Sequence, residues 1–133
     1  MRRYLLYPPF KDELTTSWIA RNALQFGMKP SELSSLITEN SATWRADLDV
    51  YINGSASKNI ATNVGMDESK LHRLTFYGSS EFFYSQSEKT PQVKWVMPLG
   101  QEAIKKQFSV QYCPCCLVED GKRPYFRKHW RLG

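Results

Sequence analysis

Ser57-Lys58-Asn59-Ile60-Ala61-Thr62-Asn63-Val64-Gly65-Met66-Asp67-Glu68-Ser69-Lys70-Leu71-His72-Arg73-Leu74-Thr75-Phe76 places two apolar faces of helical spacing on either side of one glycine. Ile60, Val64, Met66, Leu71 and Leu74 fall where a pair of crossing helices buries side chains. Ala61 is small where the second helix must pass close, and Gly65 sits where the connecting turn needs positive φ. The stretch predicts a helix-turn-helix over 57–76. Helix pairs around a glycine also occur in proteins that never meet DNA, so the pattern fixes local structure before it fixes function.

Working outward toward the N-terminus, Leu14, Trp18, Ile19, Ala23 and Phe26 recur with helical spacing between Asp12, an expected N-cap, and Gly27, an expected C-cap. Pro30 or Ser31 opens a second helix with Leu33, Leu36 and Ile37 on one side and Asn40 as its stop, completing a helical hairpin. Trp44 to Tyr51 extends the helical layer with a weaker period. Downstream, Gly78 to Pro91 reads as a loop whose Phe82, Phe83 and Tyr84 pack back onto the helices. Val93, Trp95 and Met97 alternate as in an extended segment, and Gln101 to Phe108 is long enough for one more short helix. The expected fold is mainly α: a helical domain with the helix-turn-helix over 1–91, then an extended segment and a partial zinc-finger module over 92–133.

All three cysteines lie in Tyr112-Cys113-Pro114-Cys115-Cys116-Leu117. Cys113 and Cys116 have the C-x-x-C spacing that aims two thiolates at one tetrahedral Zn2+. A structural site needs four ligands. The remaining pair is expected beyond Gly133, with Cys115 and His129 as the less favoured local completion and Cys115 otherwise a bystander. The net charge of +5 belongs wholly to Lys122, Arg123, Arg127, Lys128 and Arg131, since the other thirteen cations are matched by thirteen acidic residues before Gly121. Tyr125, Phe126 and Trp130 interleave with those cations. The strip reads either as a surface that holds phosphates and stacks bases or as a solvated turn with a small core over the metal.

A hydrophobic content of 41%, with 14% aromatic residues, argues for a folded chain over a disordered one. The basic start Met1-Arg2-Arg3 leads into an apolar run stopped at Pro8-Pro9, too short for a signal peptide, and nothing reads as a membrane span. An intracellular setting favours metal over disulfides for the cysteines. Enzyme chemistry lacks parts: no phosphate-binding glycine loop, no nucleophile motif, and only His72 and His129 as histidines. Asp47 and Asp49 could hold a metal only on extended backbone, and Asp12-Glu13 and Glu119-Asp120 read as cap and turn residues. A DNA-reading helix would run from Asp67 to Phe76 and expose Glu68, Ser69, His72 and Arg73. Its acidic first turn caps a helix well but meets phosphates and guanine edges poorly.

Several of these segments together resemble one family. Pro8-Pro9, Asp12-Glu13-Leu14-Thr15-Thr16-Ser17-Trp18-Ile19-Ala20-Arg21, Asn22-Ala23 and Gly27 resemble the opening helix of TniQ proteins. The helix-turn-helix lies where theirs does. Tyr112-Cys113-Pro114-Cys115-Cys116-Leu117, then Tyr125, Arg127 and Trp130-Arg131-Leu132, resemble the family's first zinc finger. The resemblance implies a non-enzymatic target-selection adaptor of Tn7-like or CRISPR-associated transposition. Its implied partners are an AAA+ ATPase regulator and either target DNA or an RNA-guided effector complex, with homodimerisation open and a cytoplasmic, nucleoid-associated setting in bacteria. It also implies Zn2+ on Cys113 and Cys116, completed by a Cys and a His after the Trp-Arg-Leu segment. The expected nucleic-acid contacts are Lys122, Arg123, Arg127, Lys128 and Arg131, with His72 and Arg73 from the helix pair. Two other classes remain: a stand-alone helix-turn-helix DNA-binding regulator, and a protein-interaction module docking on a guide-RNA effector.

Overall fold

In a computed structural model, the residues described are 4–41, 43–45, 48–49, 51–75, 84–85, 92–93, 112–121 and 123–131. They are mainly helical. Helix α1 (Thr15–Gln25) buries Trp18, Ile19 and Ala23. The expected cap, Asp12, stands outside the helix with φ of 61° and leaves the N-cap to Leu14, whose side chain caps nothing. The cap comes from far along the chain instead. Buried Asp49 accepts from the Thr16 N–H at 2.8 Å and from the Thr16 hydroxyl at 3.0 Å, placing a carboxylate at the positive end of the helix. Gly27 follows the helix with φ of 65°, and Phe26 is half exposed and not in the core.

Helix α2 (Pro30–Thr38) begins with proline, and the Glu32 carboxylate accepts the Lys29 N–H at 3.0 Å. It stops one residue before Asn40 can act, because Glu39 takes the left-handed conformation. Leu33 and Ile37 are buried, while Leu36 faces solvent. The carbonyls of Ile37 and Thr38 at its end accept from Asn63 Nδ2 at 3.1 Å and Asn59 Nδ2 at 2.9 Å, so a row on α3 (Gly54–Val64) satisfies the open end of α2. The helix expected over Trp44–Tyr51 is absent from its described residues. Thr43–Arg45 is a 3-10 turn, Leu48 and Asp49 form a turn, and Tyr51 and Ile52 are irregular. Asp49 must swing back to α1 and Asn53 must cap α3, which one continuous helix would not permit.

Helix α3 starts at Gly54, three residues before Ser57, because Asn53 accepts the Ala56 N–H at 2.9 Å. It ends on Gly65 with φ of 75°, whose N–H returns to the Ala61 carbonyl at 2.9 Å. Helix α4 (Glu68–Arg73) is shorter than the expected Asp67–Phe76 span, and Phe76 lies outside the described residues. Ile60, Val64, Leu71 and Leu74 are buried together with Trp18, Ile19, Ile37 and Ile52 in one cluster. Met66 and Ala61 are only partly buried against it, so Ala61 serves the turn through its carbonyl more than through close packing.

The loop read over Gly78–Pro91 contains a strand. Tyr84–Ser85 (β1) pairs antiparallel with Gln92–Val93 (β2), with Tyr84 opposite Val93. Phe82, Phe83, Trp95, Met97 and the Gln101–Phe108 helix lie outside the described residues. The chain continues through α5 (Pro114–Glu119) to a 3-10 turn at Lys128–Arg131.

Ile60 is fully buried where α3 meets the core. Ile60→Ala is expected to destabilise the chain by about 2–5 kcal/mol through lost burial and the cavity left behind. Gly65→Ala is expected to cost about 1–2 kcal/mol through the left-handed φ. Urea unfolding midpoints check both, and an unchanged midpoint for Ile60→Ala would contradict this core.

Candidate nucleic-acid interface and cysteine knuckle

The residues around Glu13 tie three parts of the chain together. Glu13 is fully buried and accepts from the Phe10 N–H at 2.9 Å, the Ser17 hydroxyl at 3.0 Å, Arg21 Nε at 3.1 Å and Arg21 Nη2 at 3.0 Å. Ser17 and Arg21 are four apart on α1 and share a face, and Glu13, on extended backbone just before the helix, turns its carboxylate to that face. Arg21 also reaches the Pro8 carbonyl at 3.0 Å and lies 4.4 Å from the centre of the Phe10 ring. Trp18 Nε1 donates to the Tyr7 carbonyl at 2.8 Å, and Asn22 Oδ1 accepts the Tyr7 N–H at 2.8 Å. Glu13 is thus the buried partner of an arginine fork, a correction to its reading as a cap or turn residue.

The C-terminal tail docks on this unit. Leu14 N–H donates to the Phe126 carbonyl at 2.9 Å, Phe126 N–H to the Ser17 hydroxyl at 2.8 Å, and Lys128 N–H to the Asp12 carbonyl at 2.8 Å. Glu13 and Arg127 form an isolated antiparallel bridge. Two of the tail cations, Lys128 and Arg127, turn to internal partners. Lys128 is buried, and its ammonium donates to the carbonyls of Arg73 and Thr75 just past the end of α4, while the Thr15 hydroxyl donates to Leu74 O. A cation at a helix C-terminus satisfies its open carbonyls and opposes its dipole.

Arg127 pairs with Asp120 at 2.6 Å, which raises its pKa further, and lies over the rings of Tyr125 at 4.2 Å and Trp130 at 5.1 Å. Of the five tail cations, Arg123 is exposed, 5.5 Å from the Tyr7 ring centre. Lys122 and the side chains of His129 and Arg131 lie outside the described residues. Phe126 meets Trp130 edge to face at 5.4 Å, and Trp130 is buried. Tyr125 and Phe126 are half-buried beside it.

Cys113 is the N-cap of α5, with Pro114 at the first helical position. Its sulfur accepts the Cys116 N–H at 3.4 Å, a contact that lowers the Cys113 pKa, while the Cys113 side chain pushes that of Cys116 up. The two thiols share one turn, as C-x-x-C ligands must, so they fit half of a tetrahedral zinc site. Cys115 is exposed. Among the described residues there is no cluster of three or more His, Cys, Asp or Glu side chains suited to a metal, and Asp49, one of the two aspartates read as possible ligands, is engaged with Thr16.

On α4, Glu68, Ser69, Lys70 and Arg73 are exposed and His72 is half-buried. A model of the TniQ family matches residues 5–133. The chain belongs to the TniQ family. No curated protein and no solved structure matches it. TniQ proteins serve target selection in transposition as non-catalytic adaptors. Among the described residues, no helix is long and apolar enough to cross a membrane. The TniQ-like opening segment proves to be architectural: Glu13, Ser17, Trp18, Arg21 and Asn22 clamp Tyr7–Phe10, and Ser17 also holds Phe126.

Glu13→Gln keeps the shape but leaves Arg21, only 12% exposed, without its carboxylate. The variant is expected to lose about 3 kcal/mol, as one-sided removal of a buried ion pair does. Glu13→Gln combined with Arg21→Met is expected to lose less than the two single changes added. A double-mutant cycle in urea measures the coupling, and strict additivity would contradict the hub.

Proposed function

We propose that this TniQ chain is a non-enzymatic target-selection adaptor of Tn7-like or CRISPR-associated transposition, bridging target DNA or an RNA-guided complex to an AAA+ regulator. The observation that carries the reading is the family match across nearly the whole chain, on a body whose described residues are mainly helical. The work is then done by surfaces, in the cytoplasm of a bacterium. A helix pair turning at Gly65 supports a helix-turn-helix role for α3 and α4. Capture of the AAA+ ATPase of the same transposon on the immobilised full-length protein, with ATP present, is the test. Retention above that of an unrelated control is expected, and none at all would sink the adaptor.

The second reading, a stand-alone helix-turn-helix regulator, is favoured by the exposed Lys70 and Arg73 on α4. It requires sequence-selective DNA binding without any ATPase. Replacing His72 or Arg73 with Ala would then erase a preference for cognate over scrambled duplex, whereas the adaptor reading expects no such loss.

Zinc on Cys113 and Cys116 is part of the proposal, supported by two thiols presented on one helical turn. When bound, the metal would stabilise the fold around α5. Metal analysis of the full-length protein and its Cys113→Ser/Cys116→Ser variant is expected to show zinc lost with the thiols. Equal content in both would remove the site.

A further inference from the structure

We propose that the groove between the Pro8–Glu13 segment and α4 is a cradle for the phosphates of a nucleic-acid backbone, with Lys11 on one wall and Lys70 and Arg73 on the other. The proposal deepens the adaptor reading and rests on its placement of the chain at target DNA. The groove has a volume of about 700 Å³. Lys70 and Arg73 are three apart on α4 and share a face, and Lys11 extends from the segment opposite. All three are exposed, and none is ion-paired with another described residue.

The charge balance selects an anion. Four cations, including Lys128, line the groove against the carboxylates of Asp12, Glu13 and Asp67, and Glu13 is already neutralised by Arg21. Lys128 turns its ammonium to helix carbonyls, yet its positive charge still adds to the local field. Both walls are held before any ligand arrives. Trp18 and Arg21 pin Tyr7 and Pro8, while Lys128 and Thr15 pin the end of α4. The backbone that carries the cations is thus held before binding, so binding need order only their side chains.

A phosphodiester has two free oxygens that can accept from both walls at once, and the Arg73 guanidinium offers a fork suited to them. Asp67 and Glu68 keep acceptor-rich base edges away from the start of α4, so the contact reads backbone and not sequence. Lys70 and Arg73 lie in the last turn of α4. This assigns the helix a positioning contact through its last turn, with Asp67 as the carboxylate at its start that lines the same groove.

The test is titration of a random-sequence DNA duplex with the full chain and with its Lys11→Gln/Lys70→Gln/Arg73→Gln variant at several salt concentrations. The slope of log K against log salt is expected to shrink by about 2–3, since each phosphate contact contributes close to one. A Lys29→Gln/Lys58→Gln control is expected to keep the parent slope, and thermal melting of the triple variant to match the parent. An unchanged slope in the triple variant overturns the cradle, as does a parent that fails to bind DNA at low salt. Poly-L-glutamate serves as the acidic-peptide probe: if the triple variant loses it while keeping DNA, the groove takes peptide and the cradle falls. A chain that misses the ATPase but shows the slope change loses the adaptor and keeps the cradle. One that captures the ATPase with an indifferent slope does the reverse.

Discussion

The buried carboxylate of Glu13 is the constraint on which the rest of the described structure depends. An isolated carboxylate taken out of water is costly, and it is tolerated here because four donors converge on it, two of them from one guanidinium. Those donors come from the segment before α1 and from α1 itself. Meeting the needs of one charge therefore fixes the path of Tyr7–Phe10 across the helix. The same ordering sets the Ser17 hydroxyl where it can accept from Phe126, which brings the tail to the start of α1.

Three helix ends in this protein are closed by residues far along the chain. Asp49 caps α1 across a separation of 33 residues, Asn59 and Asn63 close the end of α2, and Lys128 closes α4 from 55 residues away. Helices of this length are marginal alone, and α4 has only six residues. Their stability is bound up with tertiary contacts, so the fold should lose its parts together and not one helix at a time.

The helices α1, α2 and α3 were legible because periodic apolar residues report burial directly: Trp18, Ile37 and Ile60 fall where the spacing puts them. Gly65 was legible for a different reason, since a turn of positive φ leaves few choices of residue. Asp12 was misread as a cap because local cap rules see only neighbours, whereas the competing carboxylate, Asp49, lies a loop away. Glu13 had a usable signal in its four-residue spacing to Ser17 and Arg21, but that pattern is shared by many solvated helix faces. Membership of the TniQ family was legible from the order of several modest motifs. The roles of the residues within them were not, because a sequence motif records which side chains recur and not which contacts they make.

Lys128 shows how far placement can depart from charge count. As a sequence, the tail is the electropositive end, and its cations are natural candidates for phosphate contact. In the folded chain, Lys128 sits on carbonyls and Arg127 on Asp120, so two of the five charges meet internal needs. Residues before the tail are neutral in sum, yet they are not neutral in pattern, since Lys11, Lys70 and Arg73 gather at one groove while Glu13 is silenced inside by Arg21. Pairing one buried acid with Arg21 and turning Lys128 and Arg127 to internal partners leaves Lys11, Lys70 and Arg73 as exposed positive charge at that groove. The net charge is the same in both descriptions, and only the fold decides where an anion meets it.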